Sequence, residues 1–153
     1  MTEKIGLSAE GLDLPTADEI RGILEAKLRA KAAEEELKRH AAEAEIRHQK
    51  MMFLSDKVTP DFIKNIMQRV RTAALSGEKK ILLGTFPAEW CTDGGRRINQ
   101  GEPDWPETLQ GIAREFYDFF ERELKPRGFR LEVAVISFPD GMLGDVGAYL
   151  VWS

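Results

Sequence analysis

One stretch, Asp104 to Ser153, constrains the architecture of this chain more than any other. Leu109, Ile112, Ala113, Phe116, Phe119, Phe120 and Leu124 recur at helical spacing and form a stripe carrying three phenylalanines. Asp104 and Glu107 have the spacing of a capping box, and Pro106 falls in the first turn, where its missing N–H costs nothing. The pattern predicts a helix over 104–124, stopped by Lys125-Pro126-Arg127-Gly128. Burying each large side chain of that stripe stabilises by roughly 1.5–3 kcal/mol, so a surface must cover it. The expected surface is the sheet that follows. Phe129–Phe138 and Val146–Trp152 read as two strands around a Pro139–Asp145 turn, with Leu131, Val133 and Val135 facing one way.

Upstream, Thr59 and Pro60 predict the N-cap and first position of another helix. Its apolar face is Phe62, Ile63, Ile66, Val70, Ala73 and Ala74, and Gly77 ends it. The apolar run Lys80–Phe86 has the pattern of a strand covered on both faces. Residues 87–103 then read as a long loop. Phe116, Phe120, Leu131, Val133, Val135, Ile66 and Leu83 are the expected common core.

Before all of this lies a run from Thr16 to about Met51 with no proline and with Ala, Glu, Lys, Arg and Leu predominating. Thr16 and Glu19 form a second capping box. Glu25/Arg29, Glu34/Lys38, Glu35/Arg39 and Glu43/Arg47 are i,i+4 pairs in the favourable acidic-first order. The apolar stripe, Ile23, Ala26, Ala30, Ala33, Leu37, Ala41 and Ala44, is narrow and rich in alanine. A bend is expected at Met51–Leu54. Residues 1–15, with scattered Ile5, Leu7, Leu12 and Leu14, read as a loose lead-in.

The fold class that follows is α+β in the order α-α-β-α-β-β. A long N-terminal helical arm precedes a small two-layer domain, whose three-stranded sheet carries helices on one face. The expected division is 1–54 for lead-in and arm, and 55–153 for the domain. Three strands leave the second face thinly covered, so Val146 or Trp152 is expected to meet the arm or another subunit.

Charge and composition narrow the function classes. A net charge of −4 disfavours broad binding to nucleic acid or anionic membranes. No segment approaches the roughly 20 apolar residues of a membrane span, and the first twenty residues lack a signal-peptide core. The single Cys91 cannot form an internal disulfide, so the chain reads as cytoplasmic.

Asp93, Gly94, Gly95, Arg96 and Arg97 are the candidate ligand site. The glycines let backbone N–H groups approach a small anion, the arginines offer forked donors, and Asp93 can orient one of them or act as a base. Against this, Asp93-Gly94-Gly95 also suits a tight turn, with the arginines paired to Glu89, Glu102 or Asp104. Neither a phosphate-binding loop of the Gly-x-x-x-x-Gly-Lys type nor a dinucleotide fingerprint is present. His40 and His48, both on the arm, do not make a metal site, and neither accompanies Cys91 as a catalytic partner. Trp90, Trp105 and Trp152 are expected to pack rather than to stack bases.

No metal, cofactor or catalytic residue is assigned. The leading expectation is a non-enzymatic structural or interaction protein, a homo-oligomer or a member of a larger assembly. Its interface candidates are Ala26, Ala30, Ala33, Leu37, Ala41, Ala44, Met52 and Phe53. The alternative is a small-molecule or phosphate-handling enzyme using the 90–97 loop.

Overall fold

The computed structural model describes residues 6–153 and has the expected α+β order. Ile5 lies outside the described residues. The elements are α1 (Ala17–Ser55), α2 (Pro60–Leu75), β1 (Lys80–Pro87), a short α3 (Arg96–Gln100), α4 (Gly111–Phe119), β2 (Arg130–Val135) and β3 (Asp145–Val151). The chain divides by its internal contacts into two units between Ile46 and Arg47, so the last turns of α1 belong to the second unit.

In the first unit, Thr16 caps α1, its hydroxyl accepting the Glu19 N–H at 3.1 Å. Ion pairs run along the helix, among them Glu34–Lys38 at 3.3 Å. Arg39 pairs with Glu36 and Glu43 rather than with Glu35. No residue of α1 is buried.

In the second unit, α1 continues through Met51–Leu54 without the expected bend. Nothing there breaks a helix: no proline or glycine intervenes, and the Asp56 N–H still reaches the Met52 carbonyl at 2.7 Å. Thr59 caps α2 as expected, accepting the Phe62 N–H at 3.1 Å. At the other end Gly77 (φ +85°) returns its N–H to the Ala74 carbonyl at 3.0 Å.

The sheet is antiparallel with order β1-β3-β2. β3 is the central strand and has buried residues on both faces, whereas Lys80–Phe86, expected to be covered on both faces, alternates exposed and half-buried residues over most of its length. β1 is an edge strand, and Leu82 is exposed. Its outer carbonyls at Leu82 and Leu83 are met by the Arg69 guanidinium from α2. Val146 and Leu150 are completely buried (0% exposed), so Val146 is not offered to a partner; Trp152 is half-buried and packs on the Leu150 cluster.

The 104–124 helix is broken. Trp105–Thr108 is a single 3₁₀ turn, and Leu109 and Gln110 are extended. α4 begins only at Gly111 and runs on through a π turn, Phe120–Leu124. Asp104 caps nothing with its side chain. The break has a tertiary cause. Gly111 sits at φ +58° with its backbone against the end of α1, and a Cβ there would lie 2.2 Å from the Phe53 carbonyl oxygen. An unbroken helix cannot make that approach.

The core consists of two clusters rather than one. Ile66, Val70, Phe116, Phe120, Leu124 and Leu150 form the first, with Leu83 and Leu131 packed against it. Phe86, Ala88, Trp90, Cys91, Ile98, Leu109 and Val146 form the second, joined by Phe53, Val133 and Val135.

Candidate functional site

The segment expected to be a long loop is largely built into the second cluster. Ala88–Trp90 is a 3₁₀ turn, α3 follows, and Ala88, Trp90, Cys91 and Ile98 are all buried. Cross-links hold it in place. The Thr92 N–H donates to the Thr108 carbonyl at 2.9 Å, and the Gln110 side-chain amide donates to the Trp90 carbonyl at 2.9 Å.

Within it, both carboxylate oxygens of Asp93 are engaged by backbone. One accepts the Gly95 N–H and the other the Arg97 N–H, each at 2.9 Å. Asp93 thereby satisfies donors at the start of α3, as an N-terminal carboxylate does. Gly94 and Gly95 have positive φ, and Gly95 approaches Ala88 so closely that a Cβ would lie 2.8 Å from the Ala88 Cβ. Arg97 is paired with Glu102 at 3.8 Å and Asp104 at 3.7 Å, two of the three partners expected on the turn reading. Arg96 is exposed and makes no ion pair among the described residues. Gly94 borders a surface pocket with Pro87, Glu89 and the 139–145 turn. The charged side chains around that pocket, Glu89, Asp140 and Asp145, are all acidic and repel an anion.

Burial, together with the nearby Asp93 charge, pushes the Cys91 thiol up to about 11 against a weaker opposing hydrogen bond from Thr108. The thiolate needed for nucleophilic chemistry is therefore disfavoured at neutral pH. No cluster of three potential metal ligands occurs among the described residues. His40 lies 2.9 Å from Glu36 on the arm. Trp90 packs tilted against Phe53, and Trp105 packs edge to face against Tyr117.

On α1, Ala26, Ala30, Ala33, Leu37, Ala41, Ala44 and Met52 are all exposed, Leu37 at 71%. Phe53 is already occupied within its own chain, 5.0 Å from the ring centroids of Phe86 and Trp90. A second apolar stripe was missed from the sequence: Ile20, Leu24, Leu28 and Ile46 are also exposed. Its signal was the i, i+4, i+8 spacing of the first three, obscured by the charged stretch that separates them from Ile46.

No family model, curated protein or solved structure matches this chain. Function therefore rests on the side chains alone. No helix among the described residues is long and apolar enough to cross a membrane.

Proposed function

We propose that this is a non-enzymatic assembly protein whose copies associate through α1. The observation that carries the reading is a 39-residue helix with no buried residue and two apolar stripes. Ile23, Ala30, Leu37, Ala44 and Met51 repeat every seven residues, the spacing of a helix–helix seam. The alanines permit close backbone approach, while Ile23, Leu37 and Met51 supply the large knobs. At about 100° per residue, the Ile20-Leu24-Leu28-Ile46 stripe starts about 60° from the seam, where Ile20 neighbours Ile23, and lies about 160° from it at Leu28 and Ile46. Stripes that diverge in this way suit contact with two neighbours over most of the helix, hence an assembly of more than two arms.

The partner favoured is another copy of this chain. α1 carries eight acidic and eight basic residues, so copies do not repel through net charge. An arm of about 58 Å at 1.5 Å per residue has the length to collect area that a thin seam lacks. The internal pairing of Asp93 and Arg97 supports this reading over the phosphate-handling one.

The test is sedimentation equilibrium of the full chain at about 100 µM, beside Leu37→Glu and Leu28→Glu. Each charge enters one stripe, and each is expected to lower the mass. Loss of association from Leu37→Glu alone would assign a single seam. A monomeric wild type would overturn the proposal.

A further inference from the structure

The two core clusters are separate because one row of the sheet is underfilled. Val146, Ala148 and Leu150 alternate on the helix-covered face of β3. Val146 and Leu150 are fully buried, yet Ala148 between them is only half-buried. Its partners across the sheet are Gly84 on β1 and Val133 on β2. That row therefore presents a bare backbone, a methyl and an isopropyl group. The flanking rows present Phe86, Val146 and Val135 on one side and Ile81, Leu150 and Leu131 on the other. A Cβ on Gly84 would meet no atom within 4 Å, and the register slips beside it between Leu82 and Gly84. The helices bridge the gap with Phe53, Phe62, Ile112 and Phe116.

A cavity of about 200 Å³ results. Thr85 carries the one side-chain polar atom in its lining, and no charged side chain faces it. No buried side-chain polar atom among the described residues lacks a partner, so none waits there for water or an ion. We propose that this cavity binds one small uncharged molecule built around a single aromatic ring. An apolar cavity of about 150 Å³ stays dry and takes benzene, because water there lacks the two to four polar partners it needs. The present pocket is about a third larger and is half-open at the sheet edge rather than enclosed, and its wall is chiefly aromatic and aliphatic carbon. Charge on the ligand is excluded by the cost of desolvating it without a counter-group. Access lies at the sheet edge, where the lining residues Gly84 and Thr85 are exposed. The site does not depend on how α1 associates.

Benzene titrated into the full chain tests this, with melting temperature and the ring-proton line width as readouts. A saturable rise in melting temperature and broadening of the benzene signal are expected. Benzoate, similar in shape but charged, should produce neither. Ala148→Leu fills the cavity from the sheet and Ala113→Leu from the helices, and whichever folds should lose the benzene shift. No saturable effect on the wild type up to the solubility limit of benzene would overturn the proposal. So would equal shifts in wild type and a folded filled variant, or a benzoate shift matching that of benzene.

Discussion

Gly111→Ala isolates the contact that shapes the second unit. The added methyl would stand 2.2 Å from the Phe53 carbonyl oxygen and 2.7 Å from the Leu54 Cα, both backbone atoms that cannot rotate aside. Restoring an ordinary separation means moving α4 and the end of α1 apart by about 1 Å, an overpacking strain of about 1–3 kcal/mol. Phe53 moves with them, loosening its 5.0 Å contacts with Phe86 and Trp90. Each such aromatic pair is worth about 0.5–1.5 kcal/mol. The left-handed conformation at φ +58° adds about 1–2 kcal/mol for any residue with a Cβ. The expected total is about 2–5 kcal/mol from strain and backbone alone, rising to about 8 kcal/mol if both aromatic contacts are lost outright. Gly101→Ala is the control, since Gly101 has a similar φ of +65° but nothing within 4 Å of its Cβ position. Only the backbone cost of about 1–2 kcal/mol should appear there. Urea unfolding followed by tryptophan fluorescence reads the right unit, because Trp90, Trp105 and Trp152 all lie within Arg47–Ser153. Values within about 0.5 kcal/mol of each other would refute the argument, since the Phe53 contact would then carry no energy.

Alkaline pH should weaken the fold in two steps. Cys91 is raised from 9.0 to about 11, and Tyr117 from 10.0 to about 12 by burial and its bond to Glu121. The folded chain then holds protons that the unfolded chain releases, so this stability is complete below the unfolded values and is lost as pH rises through the folded ones. Melting temperatures across pH 8–12 should fall for the wild type, and Cys91→Ala should remove the earlier part of the decline, between about pH 9 and 11. Asp93→Ala should cost about 1–2 kcal/mol in urea melts by freeing the N–H groups of Gly95 and Arg97, as loss of a helix cap does. Arg96→Ala should stay within about 0.5 kcal/mol of wild type, and equal losses from the two would show that the α3 cap is not the stabilising element.

What was legible in the sequence was local. The hydroxyls of Thr16 and Thr59 bond donors three residues away, so four residues suffice to read each cap. The break before α4 was not legible, because the Leu109–Leu124 stripe keeps its period and the cause lies at Phe53, far along the chain. An apolar run such as Ile81-Leu82-Leu83 does not reveal whether a second layer covers its outer face, so β1 read as covered on both faces although Leu82 is exposed. The gap at Ala148 depends on a three-strand register with a bulge, which no single segment contains. The Asp93 turn and the Arg97 pairs were legible as one of two readings, since every partner lay within about a dozen residues.

Arg69 has a consequence for how copies of this protein can meet. A cross-β stack grows only when each copy lends two open strand edges, one to the chain before it and one to the chain after. On the β1 side, the carbonyls of Leu82 and Leu83 already receive the Arg69 guanidinium. An incoming strand would have to evict a charged side chain to reach them. Edge-to-edge pairing of this sheet is therefore more obstructed at Leu82 and Leu83 of β1 than along β2, where no such arginine contact occurs among the described residues.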